Sequence, residues 1–401
     1  MEQQEEKRLK VYKRRRGQSS SMSKPYSSFP LDLASEILLK LPAKSIVRSR
    51  CISKLWSSIT TDPYFIKSFE TRSSSKPSLL LFFKRMDKLC VFSFPQHHQN
   101  SNERYGNDSS PQPLDIYQMK CPKYFCFSFM ESVHGLICFR KLATPIIWNP
   151  TMRQFLTLTK PDKTWRSIAA YLGYDPIEGK HKVVCLPGDK IWEDCRVLTL
   201  GSGQEQWRSI KTSLDHHPYT DSYGRCINGV LYYKAGIDNL PGQSQAVIMS
   251  FDVRSEKFHA ITLPVDTIGG LLIAYEGRLA LVHNDYVNNG ITFWVLEDAE
   301  KHKWSDKSFP VPFSHTDPVL KAKFKLSGIT DTGEFIYLPS TFLRSFYIKY
   351  YDPEGNSFRT VEFKGVADRE FRHKSGLGNR RVYALQTFPN HMDNLMSLCN
   401  T

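Results

Sequence analysis

The stretch HGLICFRKLATPIIWNPTMRQF, residues 134–155, contains both signatures that decide the fold of this chain. In the first half Gly135 stands two residues before the apolar Ile137. In the second, the turn residue Asn149 stands six residues before the aromatic Phe155. A glycine permits a tight turn into a strand, and a well-placed aromatic supplies a large apolar area between neighbouring sheets.

Working outward, the turn-to-aromatic spacing returns at Gly201 and Trp207, Asp252 and Phe258, Asp298 and Trp304, and Asp352 and Phe358. Successive turn residues are 52, 51, 46 and 54 positions apart. The glycine signature returns ahead of later turns, at Gly229 and Leu231, Gly277 and Leu279, and Gly333 and Phe335. Around these landmarks short apolar runs, such as 79–83, 89–94, 183–186, 230–233, 279–283, 335–338 and 346–351, alternate with Gly, Pro, Asn and Asp turns. That pattern indicates an all-β region. A β-sandwich also supplies many short strands, but it has no reason to repeat at this interval. A period near 50 fits a kelch-like propeller blade, and the 310 residues from Leu79 to Phe388 make about six blades. Closing the ring must remove the edges of the first and last sheets, and the late strand 382–388 is placed to pair with the first blade.

Ahead of this region, residues 29–72 read as a module of three short helices. Leu33, Ile37 and Leu41 fall at i, i+4 and i+8 with Ala34 and Leu38 alongside, between Pro30 and the terminating Pro42. A second segment presents Ile46, Val47 and Cys51, and a third Leu55, Trp56 and Ile59 before a break at Asp62-Pro63. So small a module cannot enclose this much apolar surface, so the surplus calls for a partner. Residues 73–78 read as a linker and 79–398 as the β domain, giving an α+β multidomain chain.

The net charge is +14, and residues 1–72 alone carry 15 basic and 7 acidic side chains. Residues 1–28 hold Lys7, Arg8, Lys10, Lys13, Arg14, Arg15 and Arg16 ahead of a serine-rich run, and are expected to be disordered. This tail could be an import signal or a nucleic-acid-binding arm, though Tyr12 is the only aromatic among its basic residues. No membrane-length apolar run or signal peptide is evident, and the nine cysteines lack the spacing of a secreted disulfide framework. A reducing compartment, nucleus or cytoplasm, is expected.

The motifs that would carry chemistry are weak. Cys121, Cys126, His134 and Cys138 invite a zinc reading, but their spacing fits no common ligand pattern. Residues 173–180 resemble a phosphate loop, yet His181 follows the lysine where Ser or Thr should bind magnesium; a hairpin is the better reading. The pairs His97-His98 and His216-His217 are assigned to loops. No cofactor, metal or catalytic residue is assigned. Two segments are candidate target contacts: 95–113, long and polar, and 369–381, with Arg369, Arg372, Lys374, Arg380 and Arg381.

The order Pro30, Asp32-Leu33, Glu36-Ile37-Leu38, Leu41-Pro42, Lys44-Ser45, Arg48, Arg50-Cys51, Ser53-Lys54, Trp56 and Asp62-Pro63 resembles a plant F-box; Ser49 stands where the family usually places an aromatic. Residues 134–138, 148–153, 173–176 and 228–232 are similar to the plant F-box-associated interaction domain of type 3. Residues 391–398 are similar to its carboxy-terminal motif. The resemblance implies a non-catalytic, substrate-recognising subunit of a Skp-cullin-F-box ubiquitin ligase. Its F-box would bind a Skp-family adaptor, and through it a cullin scaffold; its β domain would bind an unidentified protein target. For adaptor docking it points to Pro30, Leu31, Leu33, Ile37, Leu38, Leu41, Pro42, Ile46, Val47, Cys51 and Trp56.

Overall fold

Two-residue turns set the strand boundaries. His134-Gly135 and Asn228-Gly229 have φ of 46° and 80°, and 49° and 82°, the double positive φ of the hairpin turn that matches strand twist. They join antiparallel strands in which Val133 faces Leu136 and Ile227 faces Val230. A Cβ on Gly135 would lie 2.5 Å from the Met392 carbonyl oxygen, so this glycine also makes room for the chain's last segment.

The computed structural model describes residues 30–398 except 97–110, 123–130, 189–191, 203–205, 221–222, 241–242, 265–268, 286–289, 311–315, 318–321, 343–345, 364–368, 375–377, 379–381 and 384. Four helices come first: α1 (Leu31–Lys40), α2 (Ala43–Ser49), α3 (Lys54–Thr60) and α4 (Pro63–Ser74). Blade 1 takes β1 (Ser78–Arg85), β2 (Lys88–Pro95) and β3 (Asp115–Lys120). Blade 2 has β4 (Ser132–Val133), β5 (Leu136–Lys141), β6 (Thr144–Asn149) and β7 (Gln154–Thr157). Blade 3 has β8 (Ile168–Asp175), β9 (Lys180–Pro187), β10 (Trp192–Thr199) and β11 (Arg208–Pro218), and blade 4 has β12 (Arg225–Ile227), β13 (Val230–Leu240), β14 (Gln243–Asp252) and β15 (Phe258–Thr262). Blade 5 has β16 (Leu271–Tyr275), β17 (Arg278–Asp285), β18 (Gly290–Asp298) and β19 (Lys303–Pro310). After the short β20 (Thr316–Asp317), blade 6 has β21 (Ala322–Ile329), β22 (Phe335–Pro339), β24 (Phe346–Asp352) and β25 (Ser357–Phe363). The two-residue β23 (Thr341–Phe342) lies between them, and α5 (Arg369–Lys374), β26 (Val382–Tyr383) and β27 (Gln386–His391) complete the chain.

The result is the expected six-bladed propeller. Blade 1 is completed by the chain's end, because β27 pairs antiparallel with β1, Leu80 facing Phe388. Phe388 stacks on Phe82 at 5.0 Å, and Phe82 meets Trp148 of blade 2 edge-on at 5.3 Å. On the other side of blade 1, Leu81, Phe83 and Phe92 share a core with Ile336, Ile348 and Phe363 of blade 6. The closing strand is thus Gln386–His391, later than expected; Val382–Tyr383 pairs with Thr341–Phe342 instead.

The repeated aromatics lie at the outer hairpins of blades 2 to 6, and those of blades 2 to 5 pack back on the blade before. Trp207 and Trp304 donate their indole N–H to the carbonyls of Thr159 and Thr262 at 3.1 and 2.9 Å, at or just past the preceding blade's outer strand. Phe155 and Phe258 pack in the corresponding interfaces. Phe358 departs from the rule: it is exposed, with the Lys349 ammonium 5.8 Å from its ring centroid.

Two local expectations change, and a third holds. The Asp62-Pro63 break is the start of a fourth helix, since proline fits a first helical turn where its missing N–H is not needed. His216-His217 lies on β11, not in a turn, and His216 bonds the Tyr233 hydroxyl at 2.7 Å. The phosphate-loop-like stretch is the hairpin between β8 and β9, with Asp175 facing Lys180. Cys121 and Cys138 are buried in two different inter-blade cores. Cys126, His97-His98, most of segment 95–113 and residues 1–28 lie outside the described residues.

Candidate functional site

The helical module is built by caps and a small core. Ser53 opens α3 by accepting from the Leu55 amide, and Asp62 opens α4 by accepting from the Tyr64 and Phe65 amides at 2.8 and 3.4 Å. Leu38, Ala43, Ile46, Phe65 and Phe69 form the core, with Leu41, Val47 and Ile59 packed against it. Ser49, in the aromatic's usual place, is buried and turns its hydroxyl back to the Ile46 carbonyl at 2.7 Å.

The residues expected to dock a partner divide into two groups. Pro30, Leu31, Leu33, Ile37, Pro42, Cys51 and Trp56 are exposed, and Leu41 and Val47 are half-buried. Leu38 and Ile46 are only 1% and 0% exposed; they fill the module's own core, out of reach of a second protein. Ile52 and Leu55, not singled out from sequence, add to the exposed surface. Leu33 and Ile37 lie one turn apart on α1, and Leu55 and Trp56 are consecutive on α3, so these exposed apolar side chains are held on helices.

The opposite side of the module is clamped to the ring. Residues 392–398 run from β27 back to the helices, and Leu395 enters the helical core. The Arg50 guanidinium donates to the Leu395 carbonyl at 3.1 Å and the Thr60 carbonyl at 3.0 Å, with the Met152 sulfur of blade 2 at 3.9 Å. Burial lowers its pKa. The buried Asn149 donates to the Asn394 and Met396 carbonyls at 3.1 and 2.8 Å, and Ser73 Oγ accepts from the Asp393 amide at 2.6 Å. Beside them Asp115 binds Lys44 of α2 at 2.9 Å and Arg153 of blade 2 at 2.6 Å. Burial pushes the Asp115 carboxyl up, and these two cations more than offset it, so it stays below its ordinary value.

Of the ring segment 369–381, Arg372 turns inward, 6% exposed, and donates to the Gly378 carbonyl; it is not part of a basic surface. Arg380 and Arg381 lie outside the described residues. Near the ring axis, a cavity of about 200 Å³ is lined in part by Glu131, Arg225, Cys226 and Thr387. Glu131 accepts from Arg225 at 3.1 Å and from the Cys226 amide at 2.7 Å, and Arg225 also donates to the Leu272 carbonyl. These bonds tie the start of blade 2 to blades 4 and 5. Burial pushes the Cys226 thiol up to about 12, so it stays protonated rather than acting as a thiolate nucleophile. Among the described residues no group of three or more His, Cys, Asp or Glu is arranged to hold a metal, and no helix is long and apolar enough to cross a membrane.

A capped helical module with its apolar face outward, clamped by its other side to a six-bladed ring, is the arrangement of an F-box joined to a β-propeller. The comparisons agree: residues 26–68 match the F-box domain, and residues 78–392 match the F-box associated beta propeller domain. Two putative F-box proteins of Arabidopsis thaliana are 56% and 51% identical to the chain, each over 99% of it and 100% of the relative. An F-box protein of the same plant is 45% identical over 92% of this chain and 93% of its own. This chain belongs to the plant F-box proteins that carry an F-box associated β-propeller.

Proposed function

We propose that the chain is the target-recruiting subunit of a Skp-cullin-F-box ubiquitin ligase, with no bond-making chemistry of its own. The observation that carries this reading is the exposure of Leu31, Leu33 and Ile37 on α1 and of Leu55 and Trp56 on α3, on a module whose core is already entered by the tail of the ring. Large apolar side chains held together on a rigid surface indicate a protein contact. A Skp-family adaptor seated there would connect the chain to a cullin scaffold. The ring would hold a protein target beside the conjugating enzyme, raising the local concentration of its lysines.

The test is co-purification of the full chain with a Skp-family adaptor. Leu33→Asp with Ile37→Asp changes exposed positions and should leave the melting temperature near wild type. It should weaken the complex by roughly 100-fold or more, as expected where apolar anchors carry the interface. An adaptor that fails to bind the wild-type chain, or binds the folded double variant equally well, defeats the proposal.

A further inference from the structure

The two ends of each blade face opposite sides of the ring. On blade 1, Ser93 of β2 pairs with Asp115, which holds Lys44 of the F-box, while Lys88 at the other end pairs with Arg85 across the Met86-Asp87 turn. Since β2 has 8 residues, that turn lies roughly 26 Å from the F-box side. On blade 2, Asn149 at the end of β6 binds the tail, and Leu142-Ala143 is the turn at its other end. Met86 and Leu142 therefore sit on adjacent blades, on the face away from the F-box.

Each occupies the first position of a two-residue turn, at φ 53° and 55°, and each is about three-quarters exposed, at 75% and 77%. The same position in two-residue turns on the F-box side is held by His134, Asn228 and Glu276. A bulky apolar residue at positive φ is strained, and exposing it stabilises nothing in the free chain.

Charge supplies the second observation. Lys88 and Lys120 face each other across β2 and β3, both exposed, and like charges directly opposite on a sheet are destabilising. Next to the Leu142 turn, Lys163 and Arg166 are exposed on either side of Trp165, which is buried in one cluster with Ala143. These four cations enter no ion pair among the described residues. Among the described residues, Asp162 is already bonded to Arg196 at 3.0 Å, and Asp87 lies in the Met86 turn itself.

We propose that this face, centred on Met86 and Leu142, docks an acidic protein segment that carries apolar side chains. It thereby names the kind of target that the ligase reading requires, and rests on that reading for its biological role. The apolar side chains would cover the two turn tips, and the carboxylates would relieve the Lys88–Lys120 repulsion. A nucleic-acid strand would meet the cations but leave Met86 and Leu142 against water, and neither turn offers an aromatic on which bases could stack.

The full chain, bound to a Skp-family adaptor, is used to select from a random peptide library on phage. Parallel selections use Met86→Ser with Leu142→Ser, and Lys88→Glu with Lys120→Glu, all at exposed positions whose folding is checked by thermal melting. Wild type should enrich peptides rich in Asp and Glu with interspersed apolar residues, and raising the salt should weaken them. Each double variant should bind those peptides at least about tenfold more weakly, a difference of about 1.4 kcal/mol. The proposal is overturned if nothing is enriched, if the enriched peptides are neutral or basic, if the variants bind them equally, or if single-stranded DNA binds wild type more tightly than they do. Should the adaptor fail to co-purify, only the ligase reading falls, and the same selection is run on the chain alone.

Discussion

At the junction of F-box, tail and blades 2 and 3, His391 and His181 are buried where a charged imidazole is disfavoured. His391 Nδ1 lies 2.8 Å from Ser132 Oγ, and His181 Nε2 lies 3.0 Å from the Val133 carbonyl. Burial lowers His391 to about 4. It lowers His181 to about 3, with the Val133 carbonyl acting upward and His134 downward. Both values lie below the unfolded imidazole's, so between about pH 6.5 and pH 4 the unfolded chain binds more protons. Stability from these groups is therefore complete above about pH 6.5 and falls as the solution is acidified, by roughly 1.4 kcal/mol per pH unit for each. Urea unfolding at about pH 7 and about pH 5 should show a loss of roughly 2 kcal/mol per histidine across that interval. His391→Gln keeps a polar group near Ser132 but does not titrate, so the acid-induced loss should shrink by its share. An unchanged loss in this variant would show that His391 does not carry it.

Ring closure and F-box docking are made by neighbouring segments with different tasks, and truncation separates them. A chain ending at residue 383 lacks β27, which exposes the inner edge of β1 and takes Phe388 from Phe82. This should destroy the cooperative melt of the ring, whereas an unchanged melting temperature would refute closure by this strand. A chain ending at His391 keeps β27 but removes Leu395 from the F-box core and the carbonyls that Arg50 and Asn149 bond. Loss of a buried leucine alone costs about 2–5 kcal/mol, so the helices should melt before the ring in calorimetry. Blades 2 to 6 were legible in sequence because each carries a turn-to-aromatic hairpin, and all of these but blade 3 also carry a glycine turn into one strand; blade 1 carries neither signal and was legible only as apolar runs. The pairing of β23 with β26 was not, because two residues on each side carry no periodicity. Nor was the clamp, since Arg50 and Asn149 bond backbone carbonyls of the tail, which any residue type could present. Leu395 and Leu398 amid a polar end were the available signal: the first is buried in the F-box core and the second in the core between blades 2 and 3. From the F-box face, sequence identified apolar positions but could not separate Leu38 and Ile46, which face inward, from Leu33 and Ile37, which face outward. Leu33, Ile37 and Leu38 fall on one wide stripe of α1 and Ile46 is an apolar position of α2, and the packing of α4 and the tail decides which of them are covered.

The whole molecule holds the exposed residues of the F-box and the far turns of blades 1 and 2 in a fixed relation. The F-box is held by Arg50 and Leu395 to the tail and by Lys44 to Asp115 of blade 1, and the far turns of blades 1 and 2 lie at the other end of the same strands. A rigid ring between adaptor and target would let a conjugating enzyme reach some lysines and not others, whereas a flexible tether would expose many to it at lower effective concentration. In a reconstituted ligase, modification of the chain's own lysines reports this geometry without requiring the natural target. The wild-type chain should be modified on a restricted set of ring lysines. Arg50→Ala with Leu395→Ala removes the clamp from the side opposite Leu33 and Ile37, so adaptor binding should persist. Modified lysines, mapped by mass spectrometry, should then spread around the ring while the rate at the original sites falls several-fold, as effective concentration drops. A variant that retains both the wild-type map and the wild-type rates would show that the clamp does not orient the ring, and that the short joint after α4 is enough to do so.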